Sequence, residues 1–381
     1  MSNDKLTGTI HNLPNEEYRA AHGRSATVLK GCLRSAKHGL TPKKRTKSLS
    51  GGLQLHEFIL ERDLFLSKYT AGVNPDDYPE ALQSAEELKD AAKKLNEIRL
   101  PKLKTTGSKE ALISEIASDD PMHFDGVYVG SLSTTDLKNK IKHINAQPNR
   151  GLIPLSGSSV ELYERMVSVG WKGQYIPAIE KQHAKDNEDK TIIPYDEYKS
   201  YDDMYQSLIN HLTVGAERER KTGEGRLMQW LLYAFTTDCV LETEVSMFGS
   251  NDKCRVDARF KAGDKWIPFD LKRSADSSDD GFMRACTRYH YDLQAAHYLN
   301  VHNEVGGDAD IFPFIAIEPE APYAVNIFVP SDEFMQLGYQ KLEYAKKQLT
   351  KYTESSDNTA YEPVIKQLDV PEYAKYGSWS E

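Results

Sequence analysis

The spacing of apolar residues changes period along the chain, and each change marks an element. Within residues 53–69, Leu55, Phe58, Ile59, Leu60, Leu64 and Phe65 recur at helical spacing behind Ser50, a candidate cap. Ser84-Ala85-Glu86-Glu87 reads as a capping box opening a helix through Leu95. After Pro101, Gly107-Ser108-Lys109 starts a second helix to about Ile116, and residues 134–145 and 158–169 are further helices. Residues 217–235 read as a helix. The period then falls to two over 242–248, 254–260 and 265–273, and strands return at 312–317 and 325–329. Ser331 caps a helix to about Lys351, and the polar tail is expected to lie on the surface or fray. Residues 10–35 read as a loop and a short amphipathic helix.

Gly263-Asp264 suits a two-residue hairpin turn between 254–260 and 265–273. If Ala262 pairs with Lys265, paired numbers keep a constant sum and Asp257 falls opposite Asp270. Their Cβ atoms would then be about 5 Å apart, and like charges so placed destabilise a sheet unless a cation sits between them. Asp270 and Lys272 share one face, while Ile267, Phe269 and Leu271 pack on the other. Two acids and an ammonium group on one face suit a hard divalent cation, for which Mg²⁺ is the expected ion.

Asp257, twelve residues, then Asp270-Leu271-Lys272 has the form of the PD-(D/E)xK nuclease signature. Acid-Leu-Lys alone is weak, because Glu87-Leu88-Lys89 and Asp136-Leu137-Lys138 repeat it in helix-like sequence, where they read as solvated faces. Only the third copy follows an acid-bearing strand and precedes a helix in which Gln294 and Tyr298, four residues apart, share a face. Gln-x-x-x-Tyr after the lysine strand resembles the RecB-like branch of these nucleases. The bland reading is a hairpin with a surface salt bridge before an ordinary helix. Residues 274–281, SADSSDDG, read as a solvated loop, or as one that closes over substrate once its acids are screened.

No apolar run approaches the roughly 20 residues of a membrane span, and the polar N-terminus carries no signal-peptide core. Cys32, Cys239, Cys254 and Cys286 are too widely spaced for a disulfide scaffold, a zinc site or a four-cysteine iron-sulfur cluster, which points to the cytoplasm. The net charge of −9 opposes DNA binding, yet residues 1–50 hold ten Lys and Arg against three acids. Lys43, Lys44 and Arg45 are the candidate phosphate contacts there, unless that stretch is a disordered basic arm. Residues 71–120 hold two short helices and a Gly-Ser-Lys turn that look like a SAP or HeH-type module, a small helical nucleic-acid-binding unit. Lys102, Lys104 and Lys109 would meet phosphate if it binds DNA; equally, the helices are packing elements.

The order of pieces resembles the RecE (exonuclease VIII) family of phage and prophage exonucleases. It runs from Asn15-Glu16-Glu17-Tyr18 through Gly52-Leu53-Gln54-Leu55-His56 and Glu244-Val245-Ser246-Met247-Phe248 to the hairpin and the Gln-x-x-x-Tyr helix. The family commonly has Gly-Thr-Ala before the histidine helix, so Gly52-Leu53-Gln54 is a departure that leaves His56 in register. The similarity covers about residues 8–70 and 175–300, with a weaker echo at 368–376. Taken alone, His56 reads more readily as a core histidine; the resemblance implies a metal ligand.

The fold implied is α/β (α+β): a PD-(D/E)xK restriction-endonuclease-like core, with a mixed central sheet flanked by helices, and a small helical SAP/HeH-like insertion. Its expected parts are 1–70, carrying the histidine helix; the insertion 71–120; a connector 121–174; the core 175–355; and a tail 356–381. Asp257, Asp270 and the Leu271 carbonyl would hold Mg²⁺, or Mn²⁺ in its place. His56 and Glu244 would be further ligands, leaving open a second ion between them and Asp257. Lys272 would orient the attacking water or stabilise negative charge, and Gln294 and Tyr298 would position Lys272 and the scissile strand.

The resemblance further implies 5′ to 3′ digestion of double-stranded DNA from its ends. That would leave 3′ tails for a RecT-like annealing partner in recombination, with a ring-shaped homo-oligomer and no membrane. The rivals are a Cas4-like or structure-specific endonuclease of the same fold, and a non-catalytic DNA-binding protein acting through the SAP-like module. A regulatory or anti-defence role for residues 71–175 stands as a further option.

Overall fold

The structure, a computed structural model, describes residues 6–42, 47–119, 125–237, 240–354 and 359–371, with the backbone alone for 47–50. Lys43, Lys44 and Arg45 lie outside the described residues. The chain begins with β1 (Gly8–Ile10), α1 (Asn15–Ala20), α2 (Ala26–Cys32), α3 (Ala36–Leu40), α4 (Lys47–Leu60) and α5 (Arg62–Lys68). Next come β2 (Tyr69–Ala71), α6 (Ala85–Glu97), α7 (Lys109–Asp119), α8 (Gly126–Ser131), α9 (Thr134–Asn145), α10 (Ser159–Ser168), α11 (Ile176–Asp186) and β3 (Thr191–Ile193). The remainder is α12 (Tyr195–Thr222), α13 (Leu227–Thr236), β4 (Leu241–Phe248), β5 (Lys253–Ala262), β6 (Lys265–Arg273), α14 (Asp279–Tyr289), α15 (Tyr291–Glu304), β7 (Phe314–Ile317), β8 (Val325–Phe328) and α16 (Asp332–Glu354). Two compact units result: Met1–Ser67 with Lys199–Glu381, and Lys68–Tyr198.

In the first unit a mixed sheet of order β1-β4-β5-β6-β7-β8 is antiparallel except where β6 meets β7. That parallel step needs a crossover, which α14 and α15 supply. Val245, Met247, Cys254, Val256, Phe314 and Ala316 pack with Phe282, Cys286, Ala295 and Val301 of these helices. Leu29 and Cys32 of α2 pack with Leu293 of α15 and Leu342 and Ala345 of α16. The α/β fold with a helix-flanked mixed sheet is therefore present. The Gly263-Asp264 turn and the pairing of Ala262 with Lys265 also stand as expected.

Two expected helices break. The stripe at 53–69 is interrupted at Glu61, between α4 and α5, which lets the Phe58 and Phe65 rings meet edge-on at 5.0 Å; Leu64 is 40% exposed rather than buried. Helix α4 begins at Lys47, so Ser50 lies inside it. The helix expected at 217–235 is cut by Gly223 and Gly225, whose φ of 72° and 76° suit glycine. The Glu219 carboxylate accepts from the Met228 and Gln229 amides and so starts α13. His290, at φ 53°, separates α14 from α15. The polar loop before them is a built cap: Ser278 accepts from the Gly281 amide, Asp276 from the Ser278 amide, and Glu318 from the Ser277 amide.

In the second unit, residues 84–168 are an internal repeat. Ser84, Glu87, Leu88 and Asn96 recur as Ser133, Asp136, Leu137 and Asn145, 49 positions later; Leu103, Gly107, Ser108 and Leu112 recur as Ile153, Gly157, Ser158 and Leu162, 50 positions later. Both first helices carry a capping box. The packing is exchanged between repeats. Leu88 and Ala92 of α6 are buried with Ile153, Leu162 and Met166; Leu137 and Ile141 of α9 are buried with Leu103, Leu112 and Ile116. Asn96 clasps the Ile153 backbone at both amide and carbonyl, and Asn145 does the same to Leu103. Helices α6 and α7, expected as one SAP/HeH-type module, thus bury their side chains in different clusters, and the stretch expected as a connector supplies the partners of both.

Candidate active site

The site forms where the sheet stops pairing. In the β4–β5 ladder Thr243 pairs with Ala258 and Val245 with Val256, and the step between them, Glu244 with Asp257, is skipped. Glu244 has φ 47°, a left-handed backbone that non-glycine residues rarely adopt. The β5–β6 ladder ends at Ala258 with Phe269, so Asp257 and Asp270, opposite by count, also fall outside it. Freed from the ladder, the Asp257 carboxylate accepts from the Leu271 amide at 2.9 Å.

Helix α4 delivers His56 to this gap. Its Nε2 lies 2.7 Å from the Leu271 carbonyl, which can only accept, so Nε2 carries the proton. In the neutral ring Nδ1 keeps its lone pair and faces Asp257 at 3.5 Å. An imidazole whose second nitrogen donates to a carbonyl has the usual setting of a metal-ligating histidine. The Leu271 carbonyl, expected among the ligands, is here the acceptor that fixes this tautomer. One ligand atom each from His56, Glu244 and Asp257 lie within 4.8 Å of one another, the one such group of three among the described residues.

These residues fit a hard divalent cation. Burial first, then repulsion from Asp257 and Glu61, pushes the Glu244 carboxyl up to about 8, with Arg255 opposing at 3.7 Å. Crowded carboxylates left so short of positive charge are the donor set such an ion neutralises.

Asp270, 1% exposed, is held on two sides: by the Lys272 ammonium as an ion pair, and by Gln294 Nε2, which donates to Oδ1. Burial and then Asp257 raise its carboxyl above the ordinary range, and Lys272 opposes them. For Lys272 burial disfavours the charge, yet Asp270 and Asp257 outweigh it and hold the pKa above its usual value. The Lys272 ammonium also sits 4.8 Å from the centre of the Tyr291 ring. Tyr298 packs edge-on to Phe312 at 5.8 Å; its phenol is raised by burial first and then by Tyr18, Asp270 and Asp257. Gln294 and Tyr298 thus enter from one face of α15 as expected.

Lys102, Lys104 and Lys109 lie in the other unit, Lys102 and Lys104 exposed and Lys109 half-buried. Three site residues escaped the sequence. Arg255 stands beside Glu244, two positions before Asp257 on the same strand face, a period-two signal that was available. Tyr291 has two ammonium groups over its ring, those of Lys272 and Lys30, and Lys30 donates to Gln294 Oε1 at 2.7 Å. Lys30 precedes Gln294 by 264 residues, and no local pattern links them.

No curated protein matches this chain. A crystal structure from Eubacterium rectale, provisionally assigned as an exonuclease, is 16% identical over 58% of this chain and 81% of that one, with a TM-score of 0.28. That score is too low to carry an argument. Residues 155–362, more than half of the chain, match the family described as a PDDEXK-like domain of unknown function, DUF3799, and the chain belongs to that family.

Proposed function

We propose that this protein is a Mg²⁺-dependent exonuclease that digests double-stranded DNA from its ends, 5′ to 3′, leaving 3′ tails for strand annealing. The observation that carries this reading is the convergence of His56, Glu244 and Asp257 within 4.8 Å, beside the buried Asp270–Lys272 pair. His56 Nδ1 and the Glu244 and Asp257 carboxylates would hold the ion, with Asp270 as a further oxygen donor. A bound divalent cation makes a coordinated water acidic enough to attack at neutral pH and offsets charge on the phosphoryl oxygens. Lys272 would orient that water or stabilise the negative charge, and Asp270 keeps the ammonium charged. His56 keeps its one proton on the Leu271 side, so the lone pair stays on the site side. Gln294 and Tyr298 would position Lys272 and the scissile strand.

End polarity, a ring-shaped homo-oligomer and a RecT-like partner belong to the same proposal, through the resemblance to the RecE family. So does DNA contact by Lys102, Lys104 and Lys109. The thiols of Cys32, Cys254 and Cys286 are buried and free, in keeping with a reducing cytoplasm. Among the described residues no helix is long and apolar enough to cross a membrane.

Linear duplex labelled at either the 5′ or the 3′ end, with and without Mg²⁺, tests the reading. Label should leave the 5′ end first, only with the ion, and a covalently closed circle should survive. Nicking of the circle would make the protein an endonuclease, and no release from linear duplex would leave only a binding role.

A further inference from the structure

We propose that Lys30 is a positioning residue of this site: it fixes the side-chain amide of Gln294 so that Gln294 can present only its NH₂ group to Asp270. The inference rests on the nuclease reading above and extends it to Lys30, which lies outside the motifs described above. An amide side chain has two ends of nearly equal shape, so its orientation is set by the partners at each end. Here the choice is forced from both ends. Lys30 Nζ, which can only donate, lies 2.7 Å from Gln294 Oε1, and Asp270 Oδ1, which as a carboxylate can only accept, takes Gln294 Nε2. The reversed amide would set NH₂ against an ammonium group and oxygen against a carboxylate. Gln294 is 6% exposed, so water cannot relieve either clash.

The fold holds Lys30 in place. Its neighbours Leu29 and Cys32 are buried against Leu293, next to Gln294, so the packing of α2 on α15 sets the ammonium beside the amide. The Tyr291 ring contacts both cations, its centre 5.0 Å from Lys30 Nζ and 4.8 Å from Lys272 Nζ. Lys30 and Lys272 thus act on Asp270 through different oxygens: Lys272 pairs with Oδ2, and Lys30 works through Gln294 on Oδ1. Without Lys30 the Gln294 amide is anchored at one end only, and the orientation of the Asp270 carboxylate toward a bound ion loosens.

The test uses the full chain with Lys30→Met, Lys30→Arg, Gln294→Met and the double variant Lys30→Met/Gln294→Met. Release of nucleotides from linear duplex gives kcat and KM, and calorimetry with Ca²⁺ gives metal affinity without turnover. Loss of one charge-assisted hydrogen bond predicts a fall in kcat of about tenfold for Lys30→Met, with KM for DNA within about twofold. Ca²⁺ affinity should weaken several-fold, Lys30→Arg should recover most of both losses, and the double variant should be no worse than Gln294→Met. An unchanged kcat with a raised KM would make Lys30 a DNA contact and overturn the proposal, as would additive losses in the double variant. If Lys30→Met fails to fold, Lys30→Ala, which removes the donor with less bulk, must show the same split or the proposal falls. If the wild-type chain releases no nucleotides, the nuclease reading fails, while the Ca²⁺ comparison still decides the role of Lys30.

Discussion

Glu244 and Asp257 face each other at the only unpaired step between Leu241↔Phe260 and Phe248↔Lys253 of the β4–β5 ladder, and Glu244 reaches it with a left-handed backbone. Strain of this kind persists where the surroundings enforce it, and here it brings a second carboxylate toward Asp257 and His56. A consequence follows for pH. The folded-state pKa of Glu244 is raised to about 8, above its unfolded value, so between roughly pH 4.5 and 8 the folded chain binds more protons than the unfolded one. Metal-free stability should therefore fall as pH rises through that window. A divalent ion removes the repulsion, so the rise in melting temperature with Ca²⁺ should be larger at pH 8 than at pH 6. Glu244→Gln should flatten the metal-free slope and abolish most of the Ca²⁺ shift; a variant that keeps the wild-type shift would remove Glu244 from the ligand set.

Lys272→Met should abolish cleavage and leave DNA binding within a few-fold, measured by duplex retention alongside nucleotide release. It should also destabilise the fold, because Asp270 is 1% exposed and loses its counter-ion. Breaking such a pair costs on the order of 3 kcal/mol. The sign with pH is set by Asp270, whose pKa is already raised by burial and climbs further without Lys272. The deficit should be full at pH 8 and shrink as pH falls and the carboxyl takes up a proton. Lys272→Met/Asp270→Asn should regain stability at pH 8 and remain inactive. Equal deficits at pH 5 and pH 8 would show that the lost interaction is not ionic.

The tautomer of His56 separates a ligand from a core histidine. Nε2–H donates to the Leu271 carbonyl, so nitrogen NMR of the metal-free chain should find the proton on Nε2. Adding Zn²⁺ or Co²⁺ should perturb Nδ1 and leave Nε2 protonated. His56→Ala should cost metal affinity by about 10-fold or more. A ring proton found on Nδ1 would contradict the arrangement outright.

The β5–β6 hairpin was legible because two local signals agreed: a Gly-Asp turn and period-two alternation together set the register from Ala262 and Lys265. Gln294 and Tyr298 were legible for the same kind of reason, a spacing of four on one helix. Glu244 could be named only through the resemblance of its strand to the RecE family, and its left-handed backbone arises from the sheet closing around it, which local sequence does not encode. Lys30 reaches Gln294 only after α2 packs on α15. The two acid-Leu-Lys copies set aside as solvated faces were half understood. Glu87 and Asp136 are the capping-box acids, and Leu88 and Leu137 the first core leucines, of two copies of one helix.

The exchanged packing of those copies makes a prediction that a simple helix pair would fail. Leu88 of α6 is buried with Leu162 and Met166 of α10, while its sequence neighbour α7 packs in the cluster of Leu137 and Ile141. Leu88→Ala should therefore cost about 3 kcal/mol locally and raise amide hydrogen exchange across Ser159–Ser168 before it does so across Lys109–Asp119. Leu137→Ala should do the reverse, loosening Lys109–Asp119 first. Asn96→Ala removes the donor and the acceptor that hold the Ile153 backbone, and the effect should appear at 150–155 rather than at 100–105. Uniform exchange across both segments in any of these variants would mean that the two clusters unfold as one, and faster exchange in the sequence-adjacent helix would refute the exchange of partners.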